Sequence, residues 1–171
     1  MNKRMTLSGL RSVLLPFLLI LLFLPFPSQA QDCSGRVSTF RFQDFTISES
    51  RSEGGILFST LILPTGDTVF SITVTFKAWM SIHSFDDIWL FPGEDTWRPI
   101  KVGITNIRHG KSEGRYIYTA SALLTAAEAS LLAHHKIGYA QMDLFIELVP
   151  DALQTELKRA ACCTFLAQAA E

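Results

Sequence analysis

Residues 56–78 read ILFSTLILPTGDTVFSITVTFKA, and their pattern decides the fold class. Ile56 to Leu63 is an apolar run of strand length. Pro64-Thr65-Gly66-Asp67 is turn chemistry, because proline presets φ and glycine tolerates positive φ. Beyond it the chain alternates. Phe70, Ile72, Val74, Phe76 and Ala78 share one side, and Ser71, Thr73, Thr75 and Lys77 share the other. A strand with one greasy and one hydroxyl-rich face belongs to an antiparallel sheet that buries one side only.

Further strands are expected on both sides of this hairpin. Upstream, Arg36 to Ile47 alternates in part, with Phe40 and Phe42 together, and Ser48 to Gly55 reads as a polar loop. Downstream, Asp87–Phe91 and Trp97–Val102 form a second hairpin through Pro92-Gly93-Glu94-Asp95, with Pro99 confining its second arm to an edge or bulge. A polar turn at His109–Gly114 leads into another strand, Tyr116–Ala122. Thr125 and Glu128 have capping-box spacing, and His134, His135, Lys136 and Gly138 look like a helix end, so a helix is predicted over 126–137. Tyr139–Leu148 alternates as one strand, with Ala140, Met142, Leu144, Ile146 and Leu148 on one face. Pro150 then opens a second helix running to about Gln168. The fold class is α+β: an antiparallel sheet of about five to seven strands followed by helix–strand–helix, with the helices packed on one face. A β-sandwich is the alternative, and the two helices count against it.

The first thirty residues are unlike the rest. Lys3, Arg4 and Arg11 precede a nearly unbroken apolar run from Val13 to Phe26, and Ser28 and Ala30 are small residues placed for a cut after Ala30. That order is a secretory signal peptide, and the apolar run is shorter than the roughly 20 residues a spanning helix needs. Residues 31–171 then form a single exported domain, with no membrane span after leader cleavage. A retained N-terminal anchor, or a lipid-modified Cys33, is the alternative. The whole chain of 171 residues has a formal charge of −1, but loss of the leader leaves 12 cations against 16 acids. An acidic domain without a basic stripe points away from nucleic acid and from anionic membrane surfaces.

Cys33, Cys162 and Cys163 all remain in the exported domain, where oxidising conditions favour a disulfide. Adjacent cysteines bond poorly to each other, so the bridge joins Cys33 to Cys162 or Cys163. The closed loop is worth roughly 4–5 kcal/mol in the chain-entropy model.

Signatures of chemistry are sparse. There is no H-E-x-x-H, G-x-S-x-G, P-loop or dinucleotide fingerprint, so no metal, nucleotide or other cofactor is expected. His134 and His135 diverge on a helix and suit its C-terminal turn instead. Asp86, Asp87, Glu94 and Asp95 lack calcium-loop spacing. A hydrolase would need a site assembled from dispersed residues such as His83, Asp86, Asp87 and His109. Trp79, Trp89 and Trp97 fall within 19 positions of one another, joined by Phe76, Phe85 and Phe91. If displayed, they form an aromatic surface for a protein, glycan or small molecule, since rings give large contact area at little entropy cost. The sequence therefore favours a non-enzymatic binding or accessory protein of the cell envelope or exterior, with the secreted hydrolase as the alternative.

Overall fold

The computed structural model describes residues 33–50, 54–81, 85–93 and 98–166. The leader, His83, Glu94, Asp95, Trp97 and residues 167–171 lie outside the described residues.

The described residues are mostly sheet. Among the described residues, nine strands pair antiparallel throughout: β1 (Val37–Phe42), β2 (Phe45–Ser50), β3 (Ile56–Ile62), β4 (Thr68–Ala78), β5 (Asp87–Pro92), β6 (Ile100–Ser112), β7 (Arg115–Leu124), β8 (Ile137–Met142) and β9 (Phe145–Leu148). Their order across the sheet is β1-β2-β3-β4-β7-β6-β5-β8-β9. The described residues also form two helices, α1 (Ala126–His134) and α2 (Asp151–Phe165).

The β3–β4 hairpin has the expected form. Ile56 pairs with Val74 and Ile62 with Thr68, around a turn closed by the Gly66 N–H donating to the Leu63 carbonyl at 2.9 Å. Ile72, Val74, Phe76 and Ala78 are buried, while Ser71, Thr73 and Thr75 are half-covered. Those hydroxyls meet partners across the β4–β7 ladder, Thr73 with Ser121 at 2.9 Å and Thr75 with Thr119 at 3.4 Å.

Two stretches expected as single strands are hairpins. Arg36–Ile47 turns at Gln43-Asp44, with Gln43 at φ 55°, and Phe42 pairs with Phe45. The second strand runs on to Ser50, where a loop was expected, because Ser48 and Ser50 are buried and Ser50 Oγ accepts from the Phe58 N–H at 3.0 Å. Tyr139–Leu148 turns at Asp143-Leu144, with Asp143 at φ 52° and Met142 paired with Phe145. A two-residue turn reverses the face parity, so Ala140 and Met142 are buried while Leu144, Ile146 and Leu148 are exposed. The polar turn expected over 109–114 shrinks to Glu113-Gly114, both at positive φ, and β6 continues to Ser112. These extra turns account for nine strands rather than five to seven.

β6 bends the sheet. Its first residues pair with β5, its remainder with β7, and the register slips between Ile104 and Asn106. A bulge of this kind kinks a strand and sharpens its twist. The consequence is visible in the rings. Tyr118 of β7 lies 6.2 Å from Phe145 of β9, although three strands separate them in the sheet order, and Phe85 meets both. The two halves of the sheet curl until their inner faces touch.

The capping box forms as predicted: the Glu128 N–H donates to Thr125 Oγ1 and the Thr125 N–H to Glu128 Oε2. Helix α1 ends at His134, earlier than expected, because His135 is already extended. Gly138 is not its C-cap but part of β8, where its carbonyl accepts from the Val149 N–H at 2.9 Å. Pro150 is the N-cap of α2. Near the far end of α2, Phe165 stands edge-on to Phe58 of β3 and Phe70 of β4, with centroids 5.4 and 5.6 Å apart. Cys33 is bonded to Cys163, with Cα atoms 5.5 Å apart across 130 residues. Cys162 is the free thiol among the described residues, and burial pushes its pKa up against the opposing charge of Lys158.

Candidate functional site

The parity of β5 creates the main candidate site. Ile88 and Leu90 are fully buried, so Asp87, Trp89 and Phe91 project from the opposite side of the sheet. β8 repeats this, with Ala140 and Met142 buried and Tyr139 and Gln141 facing outward. Register aligns the two strands. Trp89 stands between Lys101 and Gln141, and Phe91 beside Tyr139. The rings stack in sequence: Phe91 and Tyr139 have centroids 4.2 Å apart and planes 11° apart, and Trp89 follows at 6.4 Å. Trp89 keeps 39% of its surface exposed, and the exposed Ile146 and Leu148 of β9 extend the apolar face.

Beside Trp89 lies an open cleft of about 390 Å³, lined by Phe85, Asp86, Asp87, Trp89, Gln141 and Asp143. Lys101 pairs with Asp87 at 2.7 Å and holds its ammonium 5.8 Å from the Trp89 ring centroid. Gln141 Nε2 donates to the Asp143 carbonyl at 2.8 Å, which fixes the amide and leaves its oxygen as an acceptor. The cleft thus combines one exposed indole, one oriented amide and three carboxylates, one of them neutralised. Such a wall accepts hydrogen bonds from hydroxyl or amino groups while the ring covers an apolar face.

Burial raises the Glu147 pKa, with Lys77 opposing, and the Arg36 hydrogen bond lowers that of Glu156. Among the described residues no three or more His, Cys, Asp or Glu side chains form a set that could hold a metal ion.

Of the three tryptophans, Trp97 lies outside the described residues, and Trp79 and Trp89 line different clefts. Trp79 is 75% exposed but lines a different cleft, with Lys77, Ser112, Glu113, Arg115 and Ile117. Phe76 is core. Of the dispersed hydrolase residues, Asp86 and Asp87 line the Trp89 cleft, whereas His109 is exposed on β6 and pairs with Tyr118. Asp87 pairs with Gly103, six positions from His109 along the same strand. At strand spacing that is roughly 20 Å, too far for direct proton transfer. His134 Nδ1 sits 2.7 Å from the Ser130 carbonyl in the last turn of α1. Among the described residues, no helix is long and apolar enough to cross a membrane.

Sequence reasoning missed Lys101, Tyr139, Gln141 and Asp143. The usable signal was local parity, since each of Lys101, Tyr139 and Gln141 adjoins a buried residue of its own strand. What was not readable was that β5 pairs with β8, some fifty positions away.

No family model, curated protein or solved structure matches the chain.

Proposed function

We propose that this protein is a small exported domain that works by binding, and that its contact surface is the outer face of β5 and β8 around Trp89. The observation carrying this reading is the stacked row Trp89–Phe91–Tyr139 beside a cleft of carboxylates and an amide. A domain with surplus rings would bury them in its core; here a tryptophan and its stacked neighbours lie on the face opposite the buried Ile88 and Leu90. Export is supported by the cationic, apolar leader and by a disulfide that suits an oxidising compartment. The helices are taken to cover the inner face, a placement supported by the contacts of Phe165 with Phe58 and Phe70, which leaves the outer face to a ligand.

Hydroxyl-rich ligands suit the cleft best, because the unpaired carboxylates and the Gln141 oxygen are all acceptors. The test is NMR titration of the Trp89 indole N–H with neutral glucan and chitin-type hexasaccharides. Saturable shifts that vanish in Trp89→Ala and weaken in Gln141→Ala, but survive in Trp79→Ala, support the reading. Silence with every oligosaccharide refutes the hydroxyl-rich ligand, and cleavage of any of them establishes the hydrolase instead.

A further inference from the structure

The Trp79 cleft has the opposite character to the Trp89 cleft. It sits where the outer faces of β4, β6 and β7 run out. Lys77 pairs with Ile117, which pairs with Gly110, and the next step along the ladder sets Ser112 opposite Arg115. Lys77, Trp79, Ser112, Glu113, Arg115 and Ile117 enclose about 440 Å³ of open space. The Arg115 guanidinium lies 4.2 Å from the centroid of the Trp79 ring. A cation–π contact of this kind holds a guanidinium over the ring, and its N–H groups can still reach a ligand.

Among the described residues, Arg115 makes no ion pair with a carboxylate within 4 Å, nor does Lys77. Lys77 feels the half-buried Glu147, but burial disfavours the charge on that carboxyl. Glu113, on the β6–β7 turn, is the acid of the rim. Arg108 extends the positive face one row further, opposite Thr119. The remaining polar groups of the cleft can all donate: the Arg115 fork and the Lys77 ammonium only donate, and the Ser112 hydroxyl can donate as well as accept. A wall rich in donors, with a planar fork, is complementary to an oxyanion, which accepts two parallel N–H bonds from a guanidinium. The space exceeds that of a bare ion, and Trp79 and Ile117 provide an apolar floor for whatever carries the charge.

We infer that this cleft binds a soluble organic oxyanion, a carboxylate, sulfate or phosphate ester, with Arg115 as bidentate anchor, Lys77 as second charge and Trp79 as the plane that holds Arg115. The site is separate from the Trp89 face and stands whether or not that face binds a ligand.

The test follows the Arg115 Nε–H and Trp79 indole N–H by NMR during titration with phenyl phosphate, phenyl sulfate and benzoate. Benzyl alcohol serves as the uncharged control, and phosphatidylglycerol vesicles as the lipid alternative. Saturable shifts with the anions and none with the alcohol are expected. Arg115→Gln weakens binding about tenfold or more, matching the loss of a charged hydrogen-bonding group. Arg115→Lys keeps the charge but loses the fork, and recovers only part of the affinity. Glu113→Gln strengthens binding by removing the competing acid, and Arg41→Gln on β1 leaves it unchanged. Shifts that merely follow ionic strength, equal binding by Arg115→Gln, or binding confined to the vesicles each overturn the inference.

Discussion

Removing the Cys33–Cys163 bridge should cost this domain a large share of its stability, and the substitution must be made at the right end. Cys163 is buried on α2, so replacing it would leave a defect in the core and would also invite Cys162 to capture Cys33. Cys33 is only half-covered. Cys33→Ala therefore deletes the cross-link with little loss of packing. The bridge spans 130 residues. In the chain-entropy treatment that separation gives about 5 kcal/mol at 25 °C, and measured losses for native bridges run roughly 2–5 kcal/mol. Against a typical domain stability of about 5–15 kcal/mol, the variant sits near the threshold of folding.

The assay is urea unfolding of the oxidised wild type, the reduced wild type, Cys33→Ala and Cys162→Ala. Cys33→Ala and the reduced protein should agree, about 3–5 kcal/mol below the oxidised protein, with a higher m value because the uncrosslinked chain unfolds further. Thermal midpoints should fall by roughly 10–20 °C. Cys162→Ala should keep the bridge and nearly all the stability. The reasoning fails if Cys33→Ala lies within about 1 kcal/mol of the oxidised wild type with an unchanged m value. It fails equally if non-reducing peptide mapping of the native protein finds Cys33 on Cys162. The raised pKa of Cys162 works against that exchange, since the attacking species is the thiolate.

Other expectations are equally concrete. Glu147 has its pKa raised by burial, so its folded-state value exceeds its unfolded one and its charge is a liability that grows as pH rises through that window; Glu147→Gln should be more stable than wild type at pH 7, with the difference vanishing at pH 4 in thermal melts. Glu156 has the opposite sign, its pKa being lowered by the Arg36 hydrogen bond, so Glu156→Gln should be less stable at neutral pH and converge with wild type as pH falls through the folded pKa. Thr125→Ala removes the capping box and should cost about 1 kcal/mol in urea unfolding. Phe165→Ala empties the contact with Phe58 and Phe70 and should cost roughly 3–5 kcal/mol, enough to lower the yield of folded protein.

What the sequence disclosed was what is encoded locally. The β4 strand was legible because its alternation runs unbroken through the nine residues Phe70–Ala78, and the start of α1 because the box needs only Thr125 and Glu128. The β8–β9 turn was not, because Asp143-Leu144 contains no glycine and Leu144, Ile146 and Leu148 continue the spacing of Ala140 and Met142. Only an aspartate held at positive φ makes the reversal, and no rule of spacing distinguishes that from a longer strand. The end of α1 was misplaced for a related reason. His135 still donates its N–H to the Leu131 carbonyl, but Ile137 is drawn into the ladder beside Pro92 of β5, a tertiary contact that overrides the local appeal of Gly138. Trp89 was legible as a surface candidate by type, whereas its partners Tyr139 and Gln141 depend on a strand pairing formed across the whole β6–β7 arm and α1.

Charge illustrates the same division between averages and places. A chain with a formal charge of −1, or residues 31–171 with 16 acids to 12 cations, is ill suited to anions on its overall charge. Yet binding is decided within about a Debye length, roughly 8 Å at physiological salt, so a ligand responds to the cleft it enters rather than to the sum over the surface. The two clefts share no lining residue, and their balance is opposite: Asp86, Asp87 and Asp143 in one, Lys77 and Arg115 against Glu113 in the other. The net charge still acts on the approach, repelling anions from the domain at long range. An oxyanion that binds the Arg115 cleft should therefore bind it with less salt sensitivity than two cations alone would give, because added salt screens the long-range repulsion together with the short-range attraction.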